Sequence, residues 1–323
     1  MGSVIVTGMK RLRAYHVAAL LAAAGFVQAC GPGGGEKQSN TAGEIKISVD
    51  ETLSPVIEEE LNVFHADYPE ARIIPEYVSQ QEAIRALMLD SSKLAIVTRT
   101  LTEEESARFR ERYQFTPRST KIAVDAVALI LNKANNDTLL TEEEVKAIFR
   151  GDIRSWEEMD DANIRGDIRI VFDNPYSSTV EAVKKFAGLE RLDTGRMVAV
   201  NKNTEVISYV EEHPDALGII GANWISHPQD SAAQAFLESV NLVGIAPGEG
   251  KAGYGKYYKP YQAYLSQGFY PIPRDVYVIN AGSSVSLGTG FVSFLASERG
   301  QLIILRGGLL PARQPVRLIN LKE

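Results

Sequence analysis

The sequence has little of what metal centres, disulfide frameworks and most hydrolases require. Among its 323 residues there are one cysteine and four histidines. One cysteine excludes an internal disulfide. The histidines, at positions 16, 65, 213 and 227, form no spacing that indicates a metal site or a nucleophile–base pair. We therefore predict a protein that is not an enzyme, that has no catalytic residue, and that uses neither a metal nor a cofactor.

Basic residues are in the minority. The chain has 34 Lys and Arg against 41 Asp and Glu, which gives a net charge of −7. A negative surface argues against nucleic acid as a partner, and against anionic lipid as a general one, because both attract basic proteins. Any anion that this protein binds must therefore be held by local geometry.

The apolar run from Ala14 to Val27 is shorter than the roughly 20 residues that a membrane-spanning helix needs. It follows a basic segment and precedes a small-residue stretch that ends at Cys30. This order predicts a lipoprotein signal peptide over residues 1–30 with a lipid-modified Cys30; the alternative is an unpaired thiol in a discarded leader. Residues 31–43 are Gly-rich, which predicts a flexible tether. The predicted location is the periplasm or cell envelope, with a lipid anchor to the membrane.

From residue 44 onward, short runs of β-branched and apolar residues alternate with amphipathic helical runs. The alternation predicts an α/β protein with a mostly parallel sheet. The length that remains is too great for one typical core and suits two lobes. The predicted strands cover 45–49, 73–78, 94–97, 122–131, 168–172 and 218–221.

Three of the predicted helices begin with a Ser or Thr that is followed three residues later by Glu. This spacing predicts capping boxes, in which the hydroxyl and the carboxylate each bind a backbone amide of the first turn. The three pairs are Ser79 with Glu82, Thr102 with Glu105, and Thr141 with Glu144.

Hydroxyl residues also follow the carboxyl ends of four predicted strands, where ligands bind in open α/β sheets. They are Thr52, Ser79, Thr98 and the run Ser177 to Thr179. A helix start combines free amide donors with the positive end of the helix dipole, so short hydroxyls there predict a cradle for a small oxyanion. The alternative for the last of them is that Ser178 and Glu181 form a further capping box.

Four segments carry a resemblance to a known family. They are KIAVDAVALILN from Lys121, LTEEEVKAIFRGDIRSWEEM from Leu140, the Ser-Ser-Thr loop from Ser177, and ERGQLIILRGGLLP from Glu298. They resemble the periplasmic phosphate-binding protein of ABC transporters in its lipoprotein form. The resemblance implies a type II periplasmic-binding-protein fold with two α/β lobes, joined by crossover strands near Lys121 and Arg274. It places lobe I at residues 44–121 plus 275–323, and lobe II at 122–274.

The resemblance also implies a set of phosphate ligands. Motif positions carry over to Thr52, the Leu53 amide, Ser79, Ser177, Ser178 and Thr179. Two charges are exchanged relative to the family. The chain has Thr98 and Arg99 where the family has an Asp, and it has Asp173 where the family has an Arg. We predict that Arg99 offers a bidentate fork to phosphate and that Asp173 accepts the phosphate proton. The alternative is that both are surface residues, or that they pair only with each other.

The function implied by the resemblance is capture of inorganic phosphate and its delivery to a membrane ABC permease, by a monomer. Three alternatives stay open at this point. They are a different oxyanion or small solute, a sensory role without transport, and an enzyme such as a phosphatase.

Overall fold

A computed structural model describes residues 39–313, apart from 161, 193, 228 and 229. The predicted signal peptide, Cys30 and most of the tether lie outside the described residues. Within the described part of the chain, no helix is both long enough and apolar enough to cross a membrane.

Strands and helices alternate along the chain as the sequence pattern predicts. The strands are β1 Gly43–Asp50, β2 Ala71–Val78, β3 Leu94–Val97, β4 Arg118–Asn132, β5 Leu139–Thr141, β6 Arg169–Phe172, β7 Met197–Ala199, β8 Ala216–Gly221, β9 Val240–Leu242, β10 Gly244–Ala246, β11 Pro273–Asn280 and β12 Leu310–Pro311. The α-helices are α1 Ser54–Asp67, α2 Gln80–Met88, α3 Glu103–Tyr113, α4 Glu142–Arg150, α5 Ser178–Ala187, α6 Asn203–Glu212, α7 Asn223–Ser226, α8 Ser231–Ser239, α9 Gln262–Ser266, α10 Leu287–Leu295 and α11 Glu298–Arg306. Short 3-10 helices cover Glu51–Leu53, Trp156–Glu158 and Thr194–Arg196.

The main sheet has the strand order β2-β1-β3-β11-β4-β8-β6-β7. Strands β2, β1 and β3 are parallel to one another, and so are β8, β6 and β7. Strands β11 and β4 run antiparallel between these two groups. The parallel groups follow from the strand–helix alternation, since a helix returns the chain to the same edge of the sheet.

The long strand β4 is shared by both groups. Its first part, Arg118 to Ala126, pairs with β11, and its second part, Val127 to Leu131, pairs with β8. The two larger apolar cores divide in a similar way. One packs α1, α10 and α11 against β1 and β3, and the other packs α4, α5 and α6 against β6 and β8. The lobe boundaries implied by the resemblance stay a prediction.

The helix starts match the sequence pattern, with one exception. Capping boxes are present at the starts of α2, α3 and α4, with the three predicted residue pairs. At α5 the N-cap is Ser177, whose side chain accepts from the Val180 amide at 3.4 Å. The alternative capping box of Ser178 with Glu181 is therefore wrong. Because Ser177 rather than Ser178 caps α5, the Ser178 hydroxyl bonds to other groups.

Candidate functional site

The hydroxyl groups that follow β1 and β6 meet in the interior of the protein. Thr52 Oγ1 lies 3.1 Å from Ser178 Oγ, although the two residues are 126 positions apart in sequence. Both residues are fully buried. The convergence of strand ends that the sequence predicts is thus realised for these two residues.

A buried arginine joins these two hydroxyls. Arg274 Nη1 donates to Thr52 Oγ1 at 3.0 Å and to Ser178 Oγ. Its Nε and Nη2 donate to Asp125 Oδ2 at 3.2 and 2.6 Å. The guanidinium and this carboxylate are almost inaccessible, with side-chain exposures of 3% and 2%. We call Thr52, Ser178, Arg274 and Asp125 the Arg274 network.

The sequence reasoning missed Arg274 as a site residue, although it located this residue near a crossover strand. A usable signal is present in β11, where Arg274, Val276 and Val278 alternate at the buried positions. Alternate residues of a strand share one face. An arginine in register with two core valines therefore enters the interior, where it needs a charged or hydrogen-bonding partner.

Two neighbours hold the network in place. Asn223 Nδ2 donates to the Thr52 carbonyl oxygen at 2.7 Å and to Asp125 Oδ2 at 3.1 Å. Gly221, at the end of β8, leaves room for the guanidinium. A Cβ at Gly221 would stand 2.5 Å from Arg274 Nη2 and 2.8 Å from the Thr52 oxygen. Only glycine fits at this position.

The start of α5 adds a second hydroxyl cluster. Thr179 Oγ1 donates to Asp173 Oδ1 at 3.1 Å, and Ser177 Oγ lies 2.8 Å from Thr179 Oγ1. All three side chains are buried. Burial raises the pKa of Asp173 to about 6, and the nearby Asp50 carboxylate adds to the increase.

Two more acids lie beside Thr52. Asp50 accepts from the Thr52 amide at 3.1 Å, and its pKa is raised by burial, against the attraction of Arg274. Glu51 Oε2 accepts from Asn203 Nδ2 at 2.6 Å, and burial raises its pKa to about 7. Hydrogen bonds from Ser178 and Thr52 also lower the pKa of Asp50, but burial outweighs them. The site therefore combines one guanidinium with carboxyl groups that retain a proton near neutral pH more readily than usual.

The other residues predicted to bind the ligand form a second set of contacts, outside the Arg274 network. Arg99 donates to both oxygens of Glu105 at 2.7 and 2.9 Å, so the fork predicted for phosphate faces a carboxylate, and Asp173 is not its partner. Thr98 donates through its amide and its hydroxyl to Gln80 Oε1. Ser79 caps α2, and the Leu53 side chain is in the core. Their contact with a ligand stays a prediction.

The two sets of contacts border one cavity of about 670 Å³. Ser178 and Arg274 contribute to its lining from the Arg274 network, and Thr98 and Arg99 contribute from the end of β3. A cavity that reaches hydroxyls at a helix start and a buried guanidinium is chemically suited to an oxyanion.

Comparisons with known proteins agree with this chemistry. Residues 34–299 match a family model described as a PBP superfamily domain. The phosphate-binding protein PstS of Pseudomonas aeruginosa is 26% identical over 337 residues, which cover 98% of each chain. The phosphate-binding protein PstS of Staphylococcus saprophyticus is 23% identical over 271 residues, covering 83% of this chain and 79% of that one.

Solved structures with the same fold include a putative phosphate ABC transporter substrate-binding protein with bound phosphate from Clostridium perfringens. It has a TM-score of 0.70 and 22% identity, and covers 84% of this chain and 100% of its own. An ABC-type phosphate transport receptor from Vibrio cholerae has a TM-score of 0.61 and 21% identity. The match covers 83% of this chain and 100% of that chain. These likenesses confirm the predicted type II periplasmic-binding-protein fold.

Proposed function

The chain belongs to the PBP superfamily, and we propose that it is a solute-binding protein that captures inorganic phosphate and delivers it to an ABC permease. The observation that carries the proposal is the buried Arg274 guanidinium, which bonds at the same time to the Thr52 and Ser178 hydroxyls. The relatives named above are phosphate-binding proteins, which supports the same ligand.

The Arg274 network supplies the donors that a phosphate ion requires. Thr52 and Ser178 now bond to each other and to Arg274. A phosphate placed between them would replace the contact between the two hydroxyls and their contacts with Arg274 by hydrogen bonds to an anion, each of which contributes about 1.5 to 3 kcal/mol. Asp125 holds the guanidinium plane from the opposite side, so little conformational freedom is lost on binding.

The acids beside the network supply selectivity. Asp50 and Asp173 repel a bare anion unless a proton lies between the carboxyl group and the ligand. Phosphate carries such a proton at neutral pH, and sulfate does not. With a pKa of about 6, Asp173 is mostly ionised at neutral pH, so it accepts a proton from the ligand rather than supplying one. We infer that the site accepts phosphate and rejects sulfate on this basis.

The remaining parts of the proposal concern location and partners. We propose that the protein is a monomer in the periplasm or cell envelope and is anchored through lipid on Cys30. Its proposed partner is a membrane ABC permease. We propose binding without turnover, because the relatives that match are phosphate-binding proteins. A chromogenic phosphate ester incubated with the protein is therefore expected to stay intact.

Calorimetric titration tests the proposal. Protein stripped of bound ligand is titrated with phosphate and then with sulfate at neutral pH, and we expect heat from phosphate alone. Ser178→Ala should weaken phosphate binding at least tenfold, since it removes one charge-assisted bond. Ser293→Ala, on the exposed face of α10, is the matched control. Equal phosphate affinity in the two variants would reject the site, and an equal response to sulfate would reject the role of the acids.

A further inference from the structure

A hydrogen bond between two side chains joins the two parallel strand groups beside the phosphate site. Gln80 Nε2, at the start of α2, donates to Glu181 Oε2, in the first turn of α5, at 2.7 Å. The two residues are 101 positions apart. Helix α2 packs against β3 in one apolar cluster, and α5 packs against β6 and β8 in another. The bond therefore links elements that belong to different cores.

Gln80 is fixed on the side of its own strand group. Its Oε1 accepts from the Thr98 amide at 2.7 Å and from the Thr98 hydroxyl at 2.9 Å. Gln80 is also only 1% exposed. A buried amide group that is already held at its oxygen can donate from its nitrogen with little further loss of side-chain entropy. We call Gln80, Thr98 and Glu181 the Gln80 latch.

Arg99 gives the latch a weaker second contact. Its Nη atoms bond to Glu105, and its Nε lies 3.5 Å from Glu181 Oε1. The side chains of Arg99 and Glu181 are 28% and 55% exposed, so water screens this ion pair and its contribution is small. The contact between α2 and α5 thus depends mainly on Gln80.

The Gln80 latch borders the phosphate site without being part of the Arg274 network. Glu181 lies one turn beyond Ser178 on the same side of α5, and both line the cavity of about 670 Å³. Glu181 also lines a second cavity, of about 340 Å³, together with Gln80 and Ser177. The latch therefore stands where two cavities reach the hydroxyls at the start of α5.

We propose that the Gln80 latch holds the two strand groups together over bound phosphate and thereby sets the rate at which phosphate leaves. Periplasmic binding proteins close around their ligands by hinge motion. A bond that requires α2 and α5 to be in contact stabilises the closed form alone. The inference rests on the proposed function, because phosphate is the enclosed ligand. It goes further by giving Gln80 and Glu181 a positioning role that requires no contact with phosphate.

The rate of phosphate release tests the latch directly. The full chain is loaded with radiolabelled phosphate and chased with excess unlabelled phosphate, and the bound label is followed by rapid filtration. We expect Glu181→Ala to release phosphate about fivefold faster, because it removes the acceptor of the Gln80 amide. The association rate constant should change by less than about twofold. Glu181→Gln keeps an acceptor oxygen and should accelerate release less than Glu181→Ala does.

A double-mutant cycle separates a direct bond from two independent effects. Gln80→Ala removes the donor, so the double variant with Glu181→Ala should release phosphate no faster than the faster of the two single variants. Gln81→Ala truncates the same type of side chain at the next position, which is exposed, and is the matched control. Its release rate should equal that of the wild type. Denaturant unfolding checks that Glu181→Ala, at a half-exposed position, keeps its fold.

The outcomes separate this inference from the proposed function. An unchanged release rate in Glu181→Ala would overturn the inference and leave phosphate capture standing. Additive acceleration in the double variant would overturn it too, because the two side chains would then act independently. The same holds if Gln81→Ala accelerates release as much as Gln80→Ala does. Failure of the wild-type protein to bind phosphate would overturn the proposed function and the inference together.

Discussion

Glu142 and Asp173 are carboxylates of nearly equal burial, 1% and 2% exposed, and their pKa values move in opposite directions. The pKa of Glu142 is held at about 2, whereas that of Asp173 rises to about 6. Glu142 has two ammonium partners and one amide, and Asp173 has only hydroxyl and amide donors and a second carboxylate nearby. The difference teaches that the partners, rather than the depth of burial, decide the charge of each region.

This contrast separates the two regions by function. Glu142 keeps its charge and holds Lys146 and Lys251 in place at the border of the cavity. Two acids beside the Arg274 network, Asp173 and Glu51, have pKa values raised to about 6 and about 7, which suits a site that must distinguish ligands by whether they carry a proton. The single cation of that site is already paired with Asp125, so the network stays ordered whether or not an anion is bound.

The largest expected effect comes from removing the buried guanidinium. Arg274→Met should abolish phosphate binding and lower the free energy of unfolding by about 3–5 kcal/mol, because it leaves Asp125 buried without its charge partner. Denaturant unfolding and calorimetric titration measure the two effects. The double variant Arg274→Met/Asp125→Leu should recover most of the stability without recovering binding. Recovery of binding in the double variant would contradict the assignment.

The second effect concerns Glu142 and its partners Lys146 and Lys251. Glu142→Gln should lower the free energy of unfolding at pH 7 by about 2–3 kcal/mol, since it removes the charged acceptor of two ammonium groups. The usual pKa of a glutamate is 4.5 and that of Glu142 is about 2. Its stabilisation is therefore complete above pH 4.5 and is lost as the pH falls toward 2. Wild type and variant should converge in stability in that window, and a constant difference would contradict the pKa.

Asp173 should behave in the opposite way. Its pKa is raised from 3.8 to about 6, so the folded protein holds a proton that the unfolded chain has released, and stability falls as the pH rises between these values. Asp173→Asn should raise the free energy of unfolding by about 1–2 kcal/mol at pH 8 and leave it unchanged below pH 3.8. Asp90→Asn, at an exposed position, is the control. A loss of stability at pH 8 in Asp173→Asn would reject the comparison.

The smallest effect is expected at Arg99. Its ion pair with Glu105 is partly exposed, at 28% and 26%, and such pairs contribute no more than about 1 kcal/mol. Because Glu105 already accepts from both Nη atoms of Arg99, Arg99→Gln should change the affinity for phosphate by less than about threefold. A loss of phosphate binding as large as that in Arg274→Met would instead support the fork that the sequence predicts for Arg99.

Local patterns account for the parts of the structure that the sequence predicts well. The capping boxes at Ser79, Thr102 and Thr141 need only residues three positions apart. Thr52 and Ser178 lie two and six residues beyond the ends of β1 and β6. The alternation of strands and helices likewise predicts the parallel groups of the sheet.

The missed parts depend on contacts between distant residues. Arg274 meets Asp125 across 149 positions, and Asn223 meets Thr52 across 171, and no local spacing signals such a pair. Arg99 shows the converse. Its position at a strand end suggested a ligand contact, but Glu105, only six residues away, takes the guanidinium. A carboxylate that is near in sequence can bind an arginine that a strand-end position alone would assign to a ligand.

The most direct test of the account is a crystal structure of the protein with bound phosphate. We predict that phosphate oxygens lie within hydrogen-bond distance of Arg274 Nη1 and of the Thr52 and Ser178 hydroxyls, with Arg99 still paired with Glu105. Phosphate bound at Arg99, with the bonds of Arg274 to Thr52 and Ser178 intact, would contradict the central claim that Arg274 is the cation of the site.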